Sequence, residues 1–459
     1  MEMTARYAHF WGCFIPGRLP HVEKATRLVM ERLGLQAIDM DGFTCCPEKG
    51  LVQTRSHREW LLTAARNLAI AEESGVDLIT PCPGCLGTLA GAHAEVVGDS
   101  RARRAVRDGL AVVGRRYEGR ATARHLLDVL DRDVGLVRLQ QYAIKPMVGM
   151  RVAVHYGCHL IRPSQDVNFD DPFEPSRFDE MVEAIGAESV PYESKMLCCG
   201  GLMSRVDDEE LGRDMVRTKL RELKRLEADA IVLACPSCML QYDVTQSVLV
   251  RRGEDLGVPV LYYSELLCLA MGVDPAELGL SNHRVDVSPF LAKWEDHLDQ
   301  LAGLTGTLDL RRVQNCADCG ACVLECPVAQ TDLDYDPSAV MRALAAGRLE
   351  EVLRSHDLWK CHDCYLCSER CWQGWSMLDT FREVRRIAIE RGLAPETLVT
   401  GRCTLERDGR LVRPSDAHRK RLGLRPAPEA DAAELRRLLN VGVSGAGEGE
   451  ESDDVHTPQ

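Results

Sequence analysis

The chain has 459 residues, enough for two or three domains rather than one core. Its 56 Lys and Arg stand against 70 Asp and Glu, a net charge of −14, which argues against a nucleic-acid partner because phosphate binding needs clustered basic residues. Hydrophobic residues make up 45% and charged residues 27%, and no apolar run of about 18 residues occurs, so no membrane span is expected. The first residues lack the uninterrupted apolar core of an export signal, so a cytoplasmic location is the expectation. Twenty cysteines in such a chain point to metal clusters rather than disulfides, which suit small exported proteins.

In chain order, residues 7–11 read as a short strand running into Cys13. A helix follows over 21–33, with Val22, Ala25, Val29 and Leu33 on one face. Cys45-Cys46 comes next, and a strand over 76–80 ends just before Cys82-Pro83-Gly84-Cys85. The order then returns. A strand over 152–155 runs into Cys158, Cys198-Cys199 follows, and a strand over 230–233 runs into Cys235-Pro236-Ser237-Cys238. The offset is 153 for Cys45, Cys46, Cys82 and Cys85 but 145 for Cys13. The Pro- and Asp-rich stretch 163–175, which reads as a loop, accommodates the extra residues. Two α/β domains, 1–145 and 146–275, are expected, with cysteines at the carboxyl ends of strands, where open α/β sheets place ligands.

Residues 276–310 carry no clear strand and read as a linker that wraps or connects. Residues 311–400 read as a mostly helical domain. Asp336-Pro337 opens one helix with Val340, Leu344 and Leu349 inward, and 378–388 forms another. An extension, 401–459, ends in a Gly-, Ser- and Glu-rich acidic tail expected to be disordered. Its Gly445-x-Gly447-x-Gly449 follows no strand and is not a nucleotide loop, so no flavin or nucleotide is expected on this chain.

Within the helical domain, Cys316, Cys319, Cys322 and Cys326 recur 45 residues later as Cys361, Cys364, Cys367 and Cys371. The spacing Cys-x2-Cys-x2-Cys-x3-Cys is that of two-cluster ferredoxins, in which the fourth cysteine ligates the other cluster. Cys316, Cys319, Cys322 and Cys371 would hold one cubane; Cys361, Cys364, Cys367 and Cys326 would hold the second. Structural zinc sites usually space their ligand pairs further apart. Pro327 follows Cys326 as the pattern expects, whereas Trp372 follows Cys371. The expected role is an electron wire.

The five cysteines of each half exceed the four that a cubane takes, and two of them are adjacent, so an unusual cluster is expected. A zinc site using four of the thiolates is the competing reading. The words Gly12-Cys-Phe-Ile-Pro16, Cys45-Cys-Pro47, His155-Tyr-Gly-Cys-His159, Cys198-Cys-Gly-Gly201 and Ala234-Cys-Pro-Ser-Cys-Met-Leu-Gln-Tyr242 resemble the CCG-domain signature of the B-type polypeptide of heterodisulfide reductase. Residues 310–395, with Leu358-Trp-Lys-Cys361 and Tyr365, resemble the C-type polypeptide, a two-cluster ferredoxin. The chain thus looks like a B–C fusion.

That resemblance implies duplicated CCG domains followed by a ferredoxin-like domain. It implies a noncubane [4Fe–4S] cluster on Cys13, Cys45, Cys46, Cys82 and Cys85, and another on Cys158, Cys198, Cys199, Cys235 and Cys238. It implies reduction of a disulfide, such as that of coenzyme M and coenzyme B, between the two. Electrons would arrive through two cubane clusters from a flavin-containing donor resembling the A-type polypeptide of heterodisulfide reductase. Two alternatives are weighed: a CCG electron-transfer module of a succinate-, glycolate- or lactate-type dehydrogenase, and a non-catalytic electron-transfer polypeptide. His159, beside Cys158, is a candidate proton donor to a product thiolate or a structural hydrogen-bonding group. Lys195 is a candidate charge partner or a solvated lysine, and Lys49 matches it loosely in the first half. Cys268 reads as a core thiol, Cys403 has no assigned role, and Trp359 reads as packing.

Overall fold

The computed structural model describes residues 6–203, 209–302, 313, 320–345, 348–371, 374 and 376–441. Its described strands form two four-stranded parallel sheets. The first holds β1 (Arg6–His9), β2 (Gln36–Ile38), β3 (Asp77–Thr80) and β4 (Ala123–His125) in the order β2-β1-β3-β4. The second holds β5 (Arg151–His155), β6 (Glu188–Ser189), β7 (Ala230–Leu233) and β8 (Val260–Tyr262) in the order β6-β5-β7-β8. Registers correspond as well: Tyr7 lies opposite Ala37 and Asp77, and its counterpart Val152 lies opposite Ser189 and Ala230. The expected duplication is therefore a duplication of topology.

Strand order reverses beside β1 and beside β5, and at such a point the connections diverge and leave a crevice at the carboxyl ends. Cys13 follows β1, Cys82 follows β3, Cys158 follows β5 and Cys235 follows β7. Both crevices are thus lined with thiols by the connectivity alone.

Helices cover the sheets. α1 (Pro20–Arg32) starts with proline at a position needing no amide donor, and Val22, Ala25, Val29 and the following Leu33 are fully buried, the stripe read from the sequence. α2 (His57–Glu73) is capped by Ser56, whose side chain accepts from Glu59 N at 3.2 Å. α3 (Pro83–Gly98) follows Cys82 directly. In the second half the counterparts are α4 (Glu209–Arg225) and α5 (Pro236–Leu240), which continues through a π-type turn at Gln241–Thr245 into Gln246–Arg251. Such turns are common near functional sites. α6 (Tyr263–Ala270) follows β8 and is wholly buried.

One hydrophobic core runs through both halves, from Val22 and Val29 of α1 through Val152 and Val154 of β5 to Leu266 and Leu267 of α6. α1 and α6 meet directly: Cys268 Sγ lies 3.3 Å from Ala25 O, and Thr26 Oγ1 lies 3.2 Å from Ser264 Oγ. Cys268 is a core thiol, as expected. A second core, with Trp60, Leu68, Leu78 and Leu89, fills the other face of the first sheet. Each such side chain contributes about 1.5–3 kcal/mol of burial free energy, so the halves are held as one compact unit. In the stretch 276–310, α7 (Ser288–Ala302) buries Phe290 and Trp294. Trp294 Nε1 donates to Pro146 O at 3.0 Å and Lys293 Nζ lies 2.7 Å from the Asp229 carboxylate, so this stretch packs on the second half.

Residues 320–340 and 350–441 belong to a second compact unit, all of whose described elements are helical. α8 (Pro337–Ala345) carries the buried Val340 and Leu344. Leu349, also buried, opens a separate helix, α9 (Leu349–Arg354). α10 (Met377–Glu390) buries Leu378, Phe381, Val384 and Ala388. Cys403 is exposed on a helix over Glu396–Asp408. The expected disordered tail falls on 442–459, outside the described residues.

Candidate iron–sulfur site

The two crevices open into one cavity of ≈ 510 Å³. All ten cysteines of the two five-residue sets line it. Within each adjacent pair the thiols differ: Cys45 and Cys198 are exposed, Cys46 and Cys199 buried. Cys13 Sγ approaches Cys45 Sγ to 3.8 Å.

Two glycines make the approach possible. Gly12 and Gly157 precede the first cysteine of each set, at φ +65° and +71°. A Cβ on Gly12 would lie 2.7 Å from Cys85 Sγ, and one on Gly157 would lie 3.6 Å from Cys238 Sγ. Each glycine lets the backbone after β1 or β5 pass close to the last thiol of its set. Cys82 and Cys235 occupy the N-cap positions of α3 and α5, and Cys85 N lies 3.4 Å from Cys82 Sγ. The free amides of a helix start favour negative charge there.

Crowding polarises the thiols. Hydrogen bonds from Cys45 and then Cys85 hold Cys46 down to about 4, and hydrogen bonds from Cys158 and then Cys199 hold Cys198 down to about 2. Their partners Cys45 and Cys158 are pushed up by those same bonds and by burial. Thiolates of this kind are soft ligands suited to iron–sulfur clusters. The donor set, the glycine-relieved approach and the helix-start amides fit such groups in both halves.

His159 lines the same cavity. Its Cβ is 3.2 Å from where a Cβ on Gly87 would sit, so the first half's α3 seats it. Burial, then the charge of Lys49, lowers its pKa and leaves the ring neutral near pH 7. Lys49 also lines the cavity, with Nζ 5.8 Å from the Trp60 ring centroid. Lys195 pairs with Asp179 at 2.6 Å, which takes up the charge offered as a cluster partner.

Lys219 was not singled out by the sequence. It is fully buried on α4, donates to Lys195 O at 2.8 Å and lies 3.3 Å from Nδ1 of the buried His155. Burial lowers its pKa to about 7, with Cys238 and Cys199 opposing. α2 and α4 end 152 residues apart, at Glu73 and Arg225, which sets Asn67 opposite Lys219. Asn67 Oδ1 accepts from Thr44 N at 3.0 Å, and its Nδ2 donates to Cys45 O at 3.2 Å. Phe10 corresponds to His155. The halves thus share a thiol pattern but differ behind it, neutral in the first and basic in the second. Following the duplication along α4 would have exposed this.

In the helical unit, Cys326, Cys361, Cys364 and Cys367 line one pocket with Cys322, Tyr335, Met377 and Phe381. This brings together the four cysteines expected to hold the second cubane. Tyr365, at φ +65°, occupies the turn that Gly320, at φ +71°, makes in the first copy of the motif. Trp359 packs under Arg385, 5.8 Å from the ring centroid. Of the other expected set, Cys322 and Cys371 are described; Cys316 and Cys319 lie outside the described residues.

The cysteine-rich domain model, CCG, matches residues 7–90 and 152–243, and a 4Fe-4S dicluster domain model matches 312–375. The B-type polypeptide of the ferredoxin/F(420)H(2)-dependent CoB-CoM heterodisulfide reductase of Methanosarcina acetivorans is 40% identical over 293 residues, covering 63% of this chain and 97% of that protein. The C-type polypeptide of the same enzyme and organism is 34% identical over 118 residues, 25% of this chain and 72% of that protein. The 8-methylmenaquinol:fumarate reductase membrane anchor subunit of Wolinella succinogenes is 31% identical over 287 residues, 62% of this chain and 99% of that protein. No described helix of this chain is long and apolar enough to cross a membrane.

Proposed function

The chain belongs to the B-type heterodisulfide reductase family through its duplicated cysteine-rich half and to the C-type family through its dicluster segment, and on that basis we propose that it reduces a disulfide in the ten-cysteine cavity. The observation that carries this reading is the convergence of both five-cysteine sets on one cavity. A pure electron wire has no need of a symmetric pair of cluster sites facing a shared space. When bound, noncubane [4Fe–4S] clusters on Cys13, Cys45, Cys46, Cys82 and Cys85 and on Cys158, Cys198, Cys199, Cys235 and Cys238 would supply the substrate's S–S bond with one electron each.

The chain's own residues do the rest. Trp11, Phe14, Leu51 and Leu202 contribute apolar surface to the cavity lining. One disulfide, two electrons and two protons give two thiols. His159, neutral and at the wall, donates a ring N–H hydrogen bond to one product thiolate, and both protons come from solvent. Lys49 offers the other product a cation. The cysteines of the dicluster segment would hold two cubane clusters, which would supply electrons singly. The donor is a flavin-containing partner of the A type, and the enzyme works in the cytoplasm. The substrate class is a mixed disulfide of small thiols such as coenzyme M and coenzyme B.

The likeness to the fumarate reductase anchor favours a second reading, an electron-transfer module that cleaves no disulfide. The two separate on product. The anaerobically purified chain, reduced with a viologen, is given candidate disulfides and thiol release is followed. Disulfide reduction predicts release that Cys198→Ser abolishes while the dicluster EPR signals persist. Viologen oxidation with an acceptor but no thiol release from any disulfide supports the second reading.

A further inference from the structure

A second set of ligand-type side chains is buried where the two halves meet, away from the thiols in donor chemistry. His21 lies in the first turn of α1, Glu265 in the first turn of α6, and His283 in the segment after it. His21 is 5% exposed, Glu265 0%, and the His283 side chain 1%. Glu265 Oε1 lies 3.0 Å from His283 Nε2 and 4.0 Å from His21 Nε2. One donor atom from each residue fits within a 4.8 Å span.

Neither ring nitrogen of His21 has a hydrogen-bond partner. A buried polar group left so costs about 1–3 kcal/mol. Glu265 Oε1 is the oxygen that faces both rings. The other Glu265 oxygen accepts from Tyr262 N at 2.8 Å, which fixes the carboxylate. Asp243 accepts from Arg284 N at 2.8 Å and Val285 N at 2.9 Å, which fixes the loop carrying His283. Two imidazoles and one carboxylate, each oriented, are a donor set for zinc and related divalent ions.

We propose that His21, Glu265 and His283 bind one divalent transition-metal ion, of which zinc is the representative, and that this ion ties the first half of the duplication to the second. Tetrahedral zinc places its ligands roughly 3.3 Å apart, so a shift of about an ångström at the ring tips closes the observed spacing. The fourth position falls to a water. The ion carries no electrons and is separate from the cysteine cavity, so it acts by joining α1 to α6.

The test uses the full chain, produced with zinc in the medium, purified anaerobically and analysed for zinc and iron together. About one zinc per chain is expected, with an X-ray absorption first shell of nitrogen and oxygen alone. His21→Ala and His283→Gln should each lose at least about nine-tenths of the zinc while keeping their iron. Should a variant fail to fold, the wild-type spectrum still decides. Absence of zinc from wild-type chain with its iron intact overturns the site. So does zinc with a sulfur shell, or zinc that survives both substitutions.

Discussion

Gly12 and Gly157 hold the same place in the two halves but meet their thiols at different distances, and this gives an internally controlled prediction. Both have positive φ, so alanine at either position carries a left-handed backbone penalty of about 1–2 kcal/mol. That lowers the melting temperature by roughly 2–4 °C per kcal/mol for a unit of this size. The space differs: the new methyl would sit 2.7 Å from Cys85 Sγ in Gly12→Ala but 3.6 Å from Cys238 Sγ in Gly157→Ala. The second distance is ordinary contact and the first is not, so Cys85, buried on α3, must move. Gly157→Ala should melt a few degrees lower and keep all its iron. Gly12→Ala should melt at least as low and lose the first-half cluster, about four irons of sixteen by cluster stoichiometry. The assay is iron per chain with a thermal melt of each variant. Equal iron in both variants, or loss from Gly157→Ala alone, refutes the reasoning.

Lys219→Met should lower the midpoint potential of the second-half cluster by at least about 60 mV, the one-electron equivalent of a tenfold change, and leave the first-half cluster unmoved; equal shifts in an EPR redox titration would contradict the assigned asymmetry. His125 is buried and its Nδ1 accepts from Leu127 N at 3.1 Å, and burial lowers its pKa to about 3. Between that value and the unfolded value near 6.5 only the unfolded chain binds the proton, so stability falls as pH falls through this window by about 1.4 kcal/mol per unit. His125→Asn should show a shallower loss by that slope in denaturant melts at pH 6 and pH 4, against wild type. Tyr365→Gly, at a positive-φ turn where the other copy of the motif has glycine, should relieve about 1 kcal/mol of backbone strain; the loss of the Arg382 bond to Tyr365 Oη, an exposed contact, offsets little of it. A lower melting temperature for the helical unit would count against this.

Much of the architecture is legible in the sequence because the duplication carries two kinds of information at once. Cysteine spacing marks equivalent points, and the short apolar runs before Cys13, Cys82, Cys158 and Cys235 read as strands whose ends carry them. The α1 stripe Val22, Ala25, Val29 and Leu33 follows helical periodicity because that face meets the core. Other features escape for physical reasons. Lys219 shares a face with Val216 and Leu223, but a lysine on an amphipathic helix ordinarily lies in water, and only its buried partners show otherwise. His21, Glu265 and His283 are brought together by the packing of α1 on α6, which no local pattern announces. α7 reads weakly because Lys293 precedes Trp294 and Glu295 and Asp296 follow it, and its burial comes from the Pro146 and Asp229 anchors on the second half.

On the proposed function this cavity holds two clusters of unusual type beyond the two of the dicluster segment. The direct test is iron quantification of anaerobically purified chain, with EPR during oxidation in the presence and absence of a candidate thiol. The expected result is about sixteen irons per chain, four in each of four clusters, and a paramagnetic signal on oxidation that appears only with thiol and disappears in Cys198→Ser. About eight irons, with ferredoxin-type signals alone, would leave the ten-cysteine cavity without clusters and contradict it.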